Sequence, residues 1–103
     1  MVNRRLRLIL SDDEFNRLTI TEFDDESVQV IVDVHGMKCY QARRFINNII
    51  NIAHCELQLV VIHGYNHGTA IKDMLAFDFN NSHVSEQHLD ANNQGVTHML
   101  IAA

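Results

Sequence analysis

Two short stretches of this chain combine residue types that can move protons and hold anions. One reads Val32-Asp33-Val34-His35-Gly36, the other Ile62-His63-Gly64-Tyr65-Asn66-His67-Gly68-Thr69. A histidine has a reference pKa of about 6.5, so it gives or takes a proton near neutral pH. Asp33 lies two residues before His35, and on an extended chain both side chains fall on one face. There the carboxylate can orient the imidazole or raise its pKa. Such a pair activates a hydroxyl or water, or protonates a leaving oxygen. Gly64 and Gly68 let the backbone approach a phosphate closely. The loop they sit in opens a helix N-terminus, whose free N–H groups and positive dipole favour an anion. The set suits phosphodiester cleavage without an obligatory metal. Asp33, His35 and His63 are the catalytic candidates; Gly64, Tyr65, Asn66, His67, Gly68 and Thr69 form the phosphate-holding loop; Arg43, Arg44 and Lys72 are the cations expected to meet a nucleic-acid backbone.

Taken singly, each residue also has a structural reading. His63 at a strand end can bond a loop carbonyl, and Gly36, Gly64 and Asn66 can be turn residues. Two His-Gly pairs at adjacent strand ends are what favour a site. The remaining histidines, His54, His83, His88 and His98, show no ligand spacing and are read as surface or structural.

The elements that must position these residues follow from periodicity. Val28, Val30, Val32 and Val34 alternate with Gln29, Ile31, Asp33 and His35, a strand signal with the valines on one face. Ala42, Phe45, Ile46, Ile49, Ile50 and Ala53 recur at three- and four-residue steps, predicting a helix from about Cys39 to Ala53. Leu57–Ile62 is a nearly continuous apolar run, as in a strand buried in a sheet interior. A short helix follows from about Thr69 to Phe77. Strands over His83–Asp90 and Val96–Ala102 close the chain, with Asn92-Asn93-Gln94-Gly95 as their hairpin loop. Residues 1–26 read as an N-terminal extension. Leu6, Leu8 and Leu10 suit a short strand; Ser11-Asp12-Asp13-Glu14 can cap a helical turn; Leu18–Phe23 is a further extended candidate. The expectation is an α/β two-layer sandwich over residues 27–103, with a mixed four-stranded sheet and two helices in βαβαββ order. The clean alternation of the first strand implies one helix-covered sheet face and one open face. In open α/β sheets, ligands bind outside the carboxyl ends of the parallel strands, where both His-Gly pairs fall.

Composition narrows the classes. At 103 residues the chain is one domain, with 47% hydrophobic residues for a core. No run of about 18 apolar residues could span a bilayer, and the N-terminal apolar patch is too interrupted for a signal peptide. Cys39 and Cys55 lack metal-ligand spacing and an acid–base partner, which fits reduced thiols. A cytoplasmic protein with no membrane association is expected. The formal net charge of −5 lacks the basic footprint of a duplex binder. Glu22, Asp24, Asp25 and Glu26 read as a solvated acidic run.

From Val28 to Ala102 the chain resembles an Smr (small MutS-related) domain. That family carries Leu-Asp-x-His-Gly at the end of its first strand, His-Gly-x-Gly-x-Gly after its second, and Gly-Val-Thr at the start of its last. Here these stand as Val32-Asp33-Val34-His35-Gly36, His63-Gly64-Tyr65-Asn66-His67-Gly68 and Gly95-Val96-Thr97. The resemblance implies a sandwich similar to the C-terminal domain of a bacterial translation initiation factor. It also implies DNA or RNA binding and, in several members, endonuclease activity. Asn66 departs from the loop's glycine pattern, and Lys38 stands where the family often places Thr or Ser at the helix start. Three functions remain open: an endonuclease needing no cofactor, with a divalent metal as an option; a non-catalytic nucleic-acid-binding module; and a protein-interaction domain. A domain this small suits a homodimer or a place in a larger nucleic-acid-processing complex.

Overall fold

The computed structural model describes residues 2–66 and 68–102. Nine elements succeed one another: α1 (Val2–Ile9), α2 (Asp12–Phe15), β1 (Leu18–Glu22), β2 (Val28–Asp33), α3 (Cys39–Ala53), β3 (Leu57–Ile62), α4 (Ala70–Phe77), β4 (Val84–Leu89) and β5 (Val96–Ile101). The strands form one mixed sheet in the order β1-β2-β3-β5-β4. β2 and β3 are parallel, joined through α3; the other three pairings are antiparallel. Among the described residues no helix is long and apolar enough to cross a membrane.

The expected four-stranded sheet with two helices is therefore corrected to five strands and four helices. The difference lies in the N-terminal residues. Leu6, Leu8 and Leu10 alternate, but Val2, Leu6 and Leu10 also recur every four residues, and the helical period wins. Those three are buried, whereas Leu8 and Ile9 are 77% and 67% exposed. Arg5 fastens α1 to the domain: its Nη1 donates to the Ala53 carbonyl at 2.7 Å, satisfying an orphan acceptor at the end of α3. Ser11 caps α2 in a reciprocal box with Glu14. Leu18-Thr-Ile-Thr-Glu22 then pairs antiparallel with β2, Leu18 opposite Val32 and Glu22 opposite Val28. The acidic run makes the turn between them. Asp25 accepts from the Ser27 N–H and hydroxyl at 3.0 and 2.6 Å, which holds its carboxyl below the usual carboxylate range.

One core lies between the sheet and the helices. Val30, Val32, Leu59, Val61, Met99 and Ile101 face Leu6 of α1, Phe45, Ile46 and Ile49 of α3, and Ile71, Met74 and Leu75 of α4. Every helix that contributes to this core lies on the same side of the sheet, so among the described residues no helix covers the other face, with Ile31, Asp33, Val60, Ile62, His98 and Leu100. α3 begins without a side-chain acceptor at Lys38; Gln41 compensates by accepting the Lys38 N–H at 3.1 Å.

If α1 belongs to the core, Leu6→Ala will destabilise the protein by about 2–5 kcal/mol. Leu8→Ala, on the exposed side of the same helix, will stay within about 0.5 kcal/mol of wild type. Urea unfolding of both variants measures this, and equal midpoints would contradict the packing.

Candidate active site

The parallel pair β2 and β3 ends in register, with Asp33 opposite Ile62. The ladder runs one step further, from the Val34 N–H to the Ile62 carbonyl at 2.9 Å, before the chain turns through Gly36. Val34 is buried on the helix side, so Asp33 and His35 both project from the open side. The Asp33 Oδ1 atom accepts the His35 N–H at 3.1 Å and also meets His35 Nδ1. An ionised carboxylate only accepts, so Nδ1 carries a proton, and in the neutral imidazole Nε2 is then the nitrogen with the lone pair. The His35 side chain is 67% exposed, with Asp33 at its base. Chemically this is an oriented imidazole with a free basic nitrogen at the surface.

His63 is placed differently. It is 6% exposed, and both ring nitrogens are engaged inside the protein. Nδ1 lies 2.8 Å from the Gly64 carbonyl, which can only accept, so Nδ1 is the protonated nitrogen. Nε2, 2.8 Å from Thr97 Oγ1, accepts the hydroxyl proton. Burial pushes the His63 pKa below the ordinary value, aided by nearby Lys72, while the Gly64 carbonyl acts the other way. His63 is a neutral strut between the ends of β3 and β5, and of the two residue-level readings the carbonyl-bonding one fits its contacts.

The loops after β2, β3 and β4 meet here. The His63 and Gly64 N–H groups both donate to the Gly95 carbonyl, at 2.8 and 3.0 Å. A Cβ on Gly95 would lie 3.1 Å from Gly64 Cα and 3.4 Å from Gly64 N, so only glycine permits this approach without displacing backbone. A Cβ on Gly64 would lie 3.8 Å from His35 Cβ. The result is a cavity of about 610 Å³ walled by His35, Gly36, Gly64, Asn66, Gly68 and Gly95. Gly68 has φ 131°, a conformation that side chains disfavour. Two expected N–H donors of the cradle, those of His63 and Gly64, are turned inward to Gly95. An anion would meet the segment from Tyr65 onward.

The other expected site residues are dispersed. Tyr65 lines the cavity and is 44% exposed. The Thr69 hydroxyl donates to the Asp73 carboxylate at 2.8 Å. His67 lies outside the described residues. Arg43 is paired with Asp78 at 2.6 Å, bridging α3 to the end of α4. Lys72 donates to Gln94 at 3.3 Å, and Arg44 is exposed on α3; none of these three cations lines the cavity. Among the described residues no group of three or more His, Cys, Asp or Glu is arranged to hold a metal ion.

Two residues beside the site escaped the sequence analysis as site residues. Thr97 is 4% exposed and holds His63. Arg17 precedes β1: its carbonyl accepts the Asp33 N–H at 2.9 Å, and its Nη1 donates to the Asp33 carbonyl at 3.1 Å. Recognising the β1–β2 hairpin would have placed Arg17 beside Asp33. A second aspartate–histidine pair, Asp90 with His98 at 2.6 Å, lies on the β4–β5 hairpin, where His98 also stacks on His88 with ring centroids 5.1 Å apart. Asp90 accepts the Asn92 N–H as well, so this pair shapes the hairpin turn.

Compared with protein-family models, curated proteins and solved structures, the chain matches none.

The depressed His63 pKa has a definite sign in stability. Below about pH 6.5 the unfolded chain binds a proton at this position that the folded one does not, so stability falls as pH drops from there toward the folded-state pKa. Unfolding midpoints of wild type and His63→Gln, measured from pH 8 to 5, should show a component of this loss missing from the variant. Identical pH dependence in the two proteins would contradict the buried neutral state.

Proposed function

We propose that this chain is a nucleic-acid endonuclease that cleaves phosphodiesters by His/Asp acid–base chemistry. The observation that carries the proposal is the exposed His35 imidazole, held at Nδ1 by Asp33 with Nε2 outward, at the mouth of a glycine-walled cavity. Further support comes from convergence. The three motifs that resemble an Smr domain are separated in sequence, yet Gly64 lies against His35, Gly95 against Gly64, and Thr97 against His63.

In the proposed step, a phosphodiester sits in the cavity with its phosphorus near His35. His35 Nε2 takes the proton from the attacking hydroxyl or water as the new P–O bond forms. Asp33 stabilises the imidazolium that results. The leaving oxygen departs with the bonding pair and takes a proton from water. His63 and Thr97 are positioning residues, since they hold the cavity wall and do not face the reacting atoms with a free nitrogen or hydroxyl.

A second function draws on the open sheet face, at the end remote from His35. A groove of about 570 Å³ there is lined by Phe23 and Leu100 with Glu26, Glu56 and Glu86. Exposed apolar surface among carboxylates would suit a basic protein partner.

Cleavage of one labelled RNA and one DNA at fixed salt, with and without chelator, tests the proposal. His35→Ala should lose roughly 10²–10⁴-fold in rate. Asp33→Asn should slow cleavage while leaving binding nearly unchanged. Activity undiminished in His35→Ala would end the catalytic assignment. An oligonucleotide bound by wild type but left intact would point to a non-catalytic binding module.

A further inference from the structure

We infer that Arg17 is the phosphate-binding cation of this site, and that the substrate is a single strand crossing from the glycine-walled cavity, over His35, onto Arg17. The inference rests on the endonuclease assignment and adds to it a residue and a substrate class.

His35 stands between two depressions. On one side is the cavity of about 610 Å³ already described. On the other is a cleft of about 530 Å³ lined by Asn16, Arg17, Thr19, Ile31, Asp33 and Ile62. His35 and Ile62 line both, so the two depressions flank the imidazole. Among the described residues lining either depression, Arg17 is the one lysine or arginine.

A phosphodiester is an anion, and a site that stabilises the further charge of its transition state needs a fixed cation or donor array. Of the chain's other cations, Arg43 is paired with Asp78 and Lys72 donates to Gln94, and neither these two nor Lys38 and Arg44 line either depression. Arg17 is half-buried and held in place by one N–H on the Asp33 carbonyl, and it forms no ion pair among the described residues. A guanidinium has five N–H donors, so most remain for a ligand, and its planar fork matches phosphate oxygens. Its anchor is the main chain of the residue that orients His35. The cation and the base are therefore fixed to one another across a single residue.

The surroundings favour a single strand. Duplex binding draws on many phosphate contacts, and among the described residues one lysine or arginine lines the two depressions, in a chain of net charge −5. The floor of the Arg17 cleft is made by Ile31, Ile62 and Thr19 on the open sheet face, apolar surface on which an unstacked base or sugar can lie.

The test is oligonucleotide binding in the full-length His35→Ala protein, which removes turnover. The probes are a fluorescein-labelled single-stranded decamer, as RNA and as DNA, and the corresponding duplex, titrated at several salt concentrations. Arg17→Gln in this background should bind the single strand about 10- to 100-fold more weakly, as expected for a lost charge-assisted contact. The slope of log K against log salt should become shallower by about 0.7. Arg17→Lys should restore the slope but only part of the affinity, because it keeps the charge and loses the fork. Thermal melts identify any variant that fails to fold, and the Lys variant then decides. A purely structural role would leave both affinity and slope unchanged in folded Arg17→Gln, and that result overturns this inference alone. Tighter binding of the duplex than of the single strand overturns the substrate class. Absence of binding to every probe in the His35→Ala parent overturns the inference together with the endonuclease assignment.

Discussion

The main-chain oxygen of Gly95 accepts hydrogen bonds from two successive residues, His63 and Gly64, and the end of the molecule that holds the glycine-walled cavity is organised around that fork. It brings the loop before β5 against the turn after β3. Residue 95 must be glycine at the contact, since a Cβ there would press on Gly64 Cα, and Gly64 itself adopts φ 73°. With the fork made, Gly64 lies against His35 from the neighbouring strand, and the wall of the cavity is complete. His63 and Thr97 reinforce the junction from within. A neutral imidazole satisfied at both nitrogens adds no uncompensated charge to the buried layer. The histidine that holds the wall is thus distinct from the one that faces solvent. Burial separates two residues with the same His-Gly context.

A second dependence runs through the N-terminal residues. β1 pairs with β2 along its whole length, and α1 lies on α3 through Leu6 and the Arg5 contact to Ala53. Arg17 sits where these N-terminal elements reach the carboxyl end of β2. Packing of α1 and β1 therefore serves two ends: it covers core that α3 and the sheet would leave exposed, and it sets the position of a guanidinium beside Asp33.

The elements legible in the sequence are those with an unambiguous period. α3 and β3 have the bounds their patterns imply, because six apolar residues of α3 share one stripe and Leu57–Ile62 is apolar almost throughout. The N-terminal residues were ambiguous for a physical reason. Within ten residues, Leu6, Leu8 and Leu10 satisfy alternation while Val2, Leu6 and Leu10 satisfy a helix, and tertiary packing chose the latter. β1 is a short, half-buried edge strand, and its turn uses Glu26 at φ 69°, a residue type that does not signal a left-handed turn. In the site, Asp33 and His35 could be paired from their two-residue spacing. The His63–Thr97 bond spans 34 residues, and the Arg17 contact follows from a hairpin that was itself obscure; long-range partners of this kind leave no local pattern.

The most direct measurement of the central claim is the pH dependence of single-turnover cleavage by wild type and His35→Ala. A general base must be neutral to accept a proton, so the account predicts a wild-type rate that rises with pH through one ionisation and then levels, with that limb absent from the residual activity of His35→Ala. A wild-type rate independent of pH, or the same limb in both proteins, would contradict it.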